Sequence, residues 1–189
     1  MPLDAALEAR LKALPPPEAA AALVRGYGGE IYGFLAATMH DPNDADDAFA
    51  MFSEGVWRGL AEFRGESAYR NWAYQVARNS ARKLMRGDGR RRRRFDGGGT
   101  SAAEKVAWEV RSTTAVFKRT DIKDRMRALR AELRVEDQEL LVLRVDRGLE
   151  WNDVAIVLEE DAATLRKRFE RVKEKLKAMA AQAGLMPSG

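Results

Sequence analysis

The stretch EFRGESAYRNWAYQVARNSARKLMR, Glu62 to Arg86, places a turn, a helix start and a row of nitrogen-rich side chains side by side. Gly65 and Glu66 lead into Ser67, whose hydroxyl is positioned to accept an orphan N–H of a helix beginning at Ala68. From there Tyr69, Trp72, Ala73, Val76, Ala77, Ser80 and Leu84 recur at helical spacing and predict one buried stripe. The opposite face collects Asn71, Gln75, Arg78, Asn79, Arg82 and Arg86. Amide side chains read base edges, and guanidinium groups bind phosphate or guanine. Gly87-Asp88-Gly89 stops the helix, and five arginines, Arg90 to Arg94, follow. Taken alone, the same stretch also fits an amphipathic helix with a merely solvated basic face. The rest of the chain decides between the two.

Charge is the first outside witness. The net charge of the 189 residues is only +4. Between Asp41 and Glu66, however, seven acids face two bases, and between Arg78 and Arg94 nine bases face one acid. Adjacent blocks of opposite sign call for two partners, one of them polyanionic. With 46% hydrophobic residues the chain has the composition of a packed globular protein. It has no cysteine, which excludes disulfides and thiolate metal sites. Its one histidine, His40, precedes Asp41-Pro42 at an expected helix end and reads as a cation beside the helix dipole, not as a ligand or base. There is no nucleophile–base pair and no phosphate-cradling loop. The expectation is a protein that is not an enzyme and needs no metal or cofactor. No stretch has the roughly 18 apolar residues of a membrane span, and the first residues show no secretory segment, so a cytoplasmic location without membrane insertion is expected.

In chain order, residues 1–17 read as an N-terminal arm, closed by Pro15-Pro16-Pro17. A first helical domain, 18–86, follows. Its leading helix carries Leu23, Tyr27, Ile31, Phe34 and Leu35 on one side, with glycines that permit close packing. A second helix starts at Asp41-Pro42-Asn43 and turns Ala45, Ala48, Phe49, Phe52, Val56 and Leu60 inward, while Asp44, Asp47, Met51, Glu54 and Arg58 lie along another side. Residues 87–120, rich in glycine and arginine, read as a flexible linker, although Val106 and Val110 hint at a helix from Ser101. A second helical domain, 121–184, precedes a tail, 185–189. In it, Gly148 ends one helix, Trp151 to Leu158 forms a short second, and Asp161 caps a longer third. Two helices joined by a tight turn, the second basic, make a helix-turn-helix. Leu165, Phe169, Val172 and Leu176 face inward, leaving Thr164, Arg166, Lys167, Arg168 and Arg171 for DNA. The fold class is therefore all-α, two small domains joined by a linker.

These stretches carry a resemblance. FRGESAYRNWAYQVARN is similar to the promoter-melting and promoter-reading region of bacterial RNA polymerase sigma factors of the extracytoplasmic-function type. DADDAFAMFSEGVW resembles the acidic helix with which those factors dock on the clamp helices of the largest polymerase subunit, departing at Ala50 and Met51. The C-terminal helix-turn-helix is similar to theirs as well, departing at Glu159 and Glu160, where a glycine and an apolar residue are usual. The resemblance implies a factor that binds core RNA polymerase and promoter DNA, with an anti-sigma factor as a further partner. It assigns polymerase docking to Asp44, Asp47, Met51 and Glu54. It assigns the minus-ten element to Phe63, Arg64, Ser67, Tyr69, Asn71, Trp72, Gln75, Arg78, Asn79 and Arg82, and the minus-thirty-five element to Thr164, Arg166, Lys167, Arg168 and Arg171. The competing expectation is a stand-alone helix-turn-helix regulator or DNA-packaging protein that never touches polymerase.

Overall fold

The computed structural model describes residues 2–39, 41–87, 101–114 and 127–184. The readings of His40, of Arg90 to Arg94 and of the tail lie outside these residues. Every regular element among the described residues is helical, and the chain divides into two units, Met1–Val116 and Phe117–Gly189.

In the first unit, α1 (Pro2–Ala13) leads into α2 (Pro16–Thr38). The prolines do more than end α1, since Pro16 and Pro17 occupy the first turn of α2, where a missing N–H costs nothing. Leu23, Tyr27, Ile31, Phe34 and Leu35 of α2 are all buried, as their spacing predicts. Helix α3 (Pro42–Gly59) is capped by Asp41, whose carboxylate accepts the Asn43 N–H at 2.8 Å. It buries Ala45, Ala48, Phe49, Phe52 and Val56 and runs into a 3₁₀ turn, Leu60–Glu62. After the loop 63–68 comes α4 (Tyr69–Met85).

Residues 101–114 fall inside the span read as linker, yet they form α5 (Ser101–Thr114), packed on α2 and α3. Ala103, Val106, Ala107 and Val110 are a complete helical stripe, and all four are buried. Close approach is possible because residue 28 is glycine: a Cβ there would lie 2.9 Å from Val110 Cγ1. Arg111 adds a hydrogen bond to the Asp46 carbonyl at 3.1 Å. The arginine- and glycine-rich residues just before it disguise this stripe in the sequence.

In the second unit, residues 127–131 are helical, followed by α6 (Val135–Leu141), α7 (Trp151–Leu158) and α8 (Ala162–Gln182). Leu133, Leu141 and Val172 form a core flanked by Phe169, Leu176 and Met179. Gln138 is buried but satisfied, its Nε2 donating to the Leu133 carbonyl at 2.8 Å. Between α6 and α7 the chain widens into a π-type turn, Val142–Asp146. That turn shifts the helical register, so Val142 and Leu143 are buried while Val145 is 53% exposed. Gly148, at φ 64°, then reverses the chain at no steric cost.

Candidate nucleic-acid interface

In the first unit the loop between the 3₁₀ turn and α4 gathers three aromatic rings. The Phe63 centroid lies 4.7 Å from Tyr69 and 5.3 Å from Trp72, all three rings being half-buried. Trp72 is seated against α3, where a Cβ on Gly59 would come within 3.2 Å of its ring. Each ring therefore keeps part of its surface at the solvent, the condition for stacking on an unpaired base. Arg64 is exposed on the same loop, and Gly65, at φ 74°, makes its bend.

Ser67 is not the cap of α4. The helix starts one residue later than expected, with Ala68 at the cap position, and the Ser67 hydroxyl donates to the Ala68 carbonyl at 3.3 Å. The first amides of α4 are satisfied from elsewhere in the chain. The Glu8 carboxylate of α1 accepts the Tyr69 N–H and the Arg70 N–H, each at 3.0 Å, and the Tyr27 hydroxyl at 2.9 Å. Arg70 is clamped in turn by both oxygens of Glu30 at 2.8 Å, with Asp4 at 3.5 Å. The Glu30 hydrogen bonds hold the guanidinium more firmly protonated than usual. Burial, reinforced by the hydrogen bond to Glu8, pushes the Tyr27 hydroxyl well above the ordinary tyrosine value. Nothing near Ser67 in the sequence points to Glu8 or Glu30; only the Leu7 and Leu11 spacing places Glu8 beside a packed face.

The donor row of α4 is narrower than expected. Asn71 and Arg78 are 4% and 5% exposed and lie among the packed residues, as does Tyr74. The reason is that α4 packs against α1, α2 and α3 together, so its buried sector is wider than a single stripe. Gln75, Asn79, Arg82 and Arg86 keep solvent access and form one line along the helix. On α3, Asp44, Asp47, Met51 and Glu54 all retain partial exposure. Glu54 also pairs with Arg58 at 3.4 Å across a largely solvated turn, a contact of small energy.

In the second unit, Asp161 caps α8 by accepting the Ala163 and Thr164 amides at 3.0 and 2.8 Å. The Thr164 side chain, then these amides, hold its carboxyl below the usual aspartate range. A lowered native value means that the cap is fully present at neutral pH and is lost only as pH falls below about 3.9. Thr164, Arg166, Lys167 and Arg171 are exposed on the outer side of α8. Arg166 lies over the Trp151 ring at 5.5 Å, which orders its side chain without neutralising it.

Arg168 departs from the expected DNA-facing set. Its side chain is 15% exposed and tied to Asp137 at 2.8 Å and Glu160 at 3.1 Å. Burial opposes its charge, but the Asp137 hydrogen bond and charge outweigh that and hold it more firmly protonated than usual. It joins α8 to α6, which the sequence could not show because Asp137 lies 31 residues away. Changing Arg166, Lys167 and Arg171 to alanine should lower the salt slope of DNA binding by about 2.7. Arg168→Ala should instead lower the stability of the second unit by about 2 kcal/mol, since it leaves the largely buried Asp137 carboxylate with its longer pair to Arg134 at 3.6 Å. Salt titrations of DNA binding and urea unfolding separate the two.

Glu159 is the one non-glycine residue with positive φ among the described residues, at φ 57° and ψ 41°. It closes α7 in the left-handed conformation that glycine adopts freely. Glu159→Gly should raise stability by about 0.5–1 kcal/mol, measured by urea unfolding, and remove a negative charge close to the start of α8.

Residues 23–91 match the family model Sigma-70 region 2. RNA polymerase sigma-H factor of Pseudomonas aeruginosa is 28% identical over 156 residues, covering 80% of this chain and 81% of that protein. ECF RNA polymerase sigma-E factor of Haemophilus influenzae is 26% identical over 161 residues, 80% of this chain and 82% of its own length. Among solved structures, CnrH in complex with the cytosolic domain of CnrY superposes with a TM-score of 0.64 at 20% identity, covering 95% of this chain and 98% of that one. The sigma factor RpoE of Bartonella quintana, solved with the anti-sigma factor NepR, gives 0.59 at 18% identity, covering 80% and 89%. These two show the likeness of fold. Residues 23–91 thus match Sigma-70 region 2, and over 80% of its length the chain is similar to sigma factors of the extracytoplasmic-function type.

Proposed function

We propose that this chain binds core RNA polymerase and directs promoter recognition, DNA melting and transcription initiation. The observation that carries the reading is the half-exposed ring set Phe63–Tyr69–Trp72 within the segment that matches Sigma-70 region 2. A factor that opens a duplex must hold unpaired bases more favourably than the helix stacks them, and solvent-edged rings supply that energy. Arg64, Gln75, Asn79 and Arg82 take the adjacent bases and backbone of the minus-ten element. Ser67 contributes its loop backbone, and Asn71 and Arg78 act from within the packing as supports. The α3 residues Asp44, Asp47, Met51 and Glu54 dock on polymerase.

The second unit reads the minus-thirty-five element through Thr164, Arg166, Lys167 and Arg171, with Arg168 holding the recognition helix in place. The minus-ten module extends from α1 through α5, wider than 18–86. An anti-sigma factor is a further partner, supported by the structure of the Bartonella quintana sigma factor RpoE in complex with the anti-sigma factor NepR. RNA synthesis itself belongs to the polymerase, with no cofactor or metal on this chain, and the protein works in the cytoplasm. No helix among the described residues is long and apolar enough to cross a membrane.

The stand-alone regulator reading is not favoured. It accounts for the basic α8 but not for an acidic α3 beside the aromatic loop. In vitro transcription with purified core polymerase and a genomic fragment library tests the proposal. Discrete start sites should arise only when this chain is added. Start sites unchanged by its addition, with no co-elution with core enzyme, would overturn the reading.

A further inference from the structure

The first turn of α4 is where the aromatic loop ends and the donor row begins, so its placement fixes both. No local side chain caps it. Ala68 has no acceptor, and the Ser67 hydroxyl is turned to a carbonyl. One carboxylate from the far end of the unit, Glu8, takes both of the first amides at 3.0 Å. Glu8 does not reach them as a loose surface side chain. It is pinned by the Tyr27 hydroxyl on α2 at 2.9 Å, and α1 is seated by Leu11, which is 1% exposed. A negative charge at a helix N-terminus is favourable both as acceptor and against the helix dipole. The neighbouring Arg70 is held by Glu30 and Asp4, so α1 and α2 grip the same turn at two points. Tyr69, whose N–H Glu8 receives, is the residue whose ring lies 4.7 Å from Phe63.

From this geometry we propose that α1 is a strap that sets the base-capturing loop, with Glu8 as a positioning residue for promoter opening. The inference rests on the reading of Phe63, Tyr69 and Trp72 as the base-stacking set. The carboxylate touches no DNA. It fixes the backbone at residues 69 and 70, and through it the angle at which Tyr69 meets Phe63. A preset loop captures an unpaired base without first ordering itself. That saving raises affinity for an unpaired base and matters to transcription when the energy of capture must drive strand separation. At saturating protein it matters little to transcription from a template already melted.

The experiment uses full-length protein with core polymerase at saturating concentration, on one promoter prepared both as closed duplex and with a pre-melted minus-ten bubble. Glu8→Gln keeps the side-chain shape, leaves one acceptor oxygen and removes the charge. It should lower transcription from the closed duplex, and affinity for single-stranded minus-ten DNA, about fivefold. Transcription from the bubble should change by less than about twofold, because there no opening is left to drive. Tyr27→Phe, which removes only the pin on Glu8, should give a smaller split in the same direction, and it decides the matter if Glu8→Gln does not fold. Equal loss on both templates, or no loss on either, overturns the proposal and leaves α1 a packing element. Phe63→Ala is the control for the underlying reading. If it weakens single-strand binding while the Glu8 and Tyr27 variants show no split, only the strap fails. If Phe63→Ala also leaves single-strand binding intact, the assignment of the loop itself fails.

Discussion

Reversing two charges on α3, with Asp47→Lys and Glu54→Lys together, should abolish co-elution with core RNA polymerase while far-UV circular dichroism stays unchanged. Both residues are partly exposed and lie on the side of α3 away from the Phe49 and Phe52 core, so the fold loses little. Glu54 gives up only its solvated pair with Arg58. Against a basic docking surface the new lysines replace two attractions with two repulsions, and juxtaposed like charges cost several kcal/mol. An affinity loss of at least about a hundredfold is therefore expected. Normal co-elution by the double variant would mean that the acidic face of α3 is only solvated.

The second large effect is expected at Phe63. It is the middle ring of the three, in contact with both Tyr69 and Trp72, and it lies on the loop, outside α4. Trp72 is a poorer probe, because its ring fills space over Gly59 and its removal leaves a cavity. Phe63→Ala should weaken binding to single-stranded minus-ten DNA by about 5- to 150-fold, the value of one stacked base at roughly 1–3 kcal/mol. Duplex binding through the second unit should remain. Fluorescence anisotropy with single-stranded and duplex oligonucleotides reads both quantities. Unchanged single-strand affinity in a folded variant would move base capture away from this loop.

The sequence was most legible where one segment decides its own structure. Gly148, the α7 spacing and Asp161 mark the helix-turn-helix, and the structure has α7 over Trp151–Leu158 and the Asp161 cap in place. The cores of α2 and α3 follow from helical spacing for the same reason, since each presents one face to its neighbours. Legibility ended where a partner lies far along the chain. Ser67 looks like a cap, but Glu8 takes that role across 61 residues of separation. Asn71 and Arg78 look like surface donors because a helical wheel assumes one packed face, and α4 has neighbours on several. Arg168 looks like a DNA contact until Asp137 is brought beside it. The π-type turn at Val142–Asp146 leaves no mark in composition, and it turned Val145 outward.

The bond from Glu8 to the α4 amides also has a consequence for the order of events during synthesis. Glu8 leaves the ribosome 61 residues ahead of Tyr69, which at 5–20 residues per second is a lead of about 3–12 s. Tyr27 arrives after only 19 residues, so the α1–α2 hairpin can close early and present the carboxylate before α4 exists. The last-made helix of that trio then meets an acceptor already in position. The nascent chain would thus fold α4 onto a waiting template.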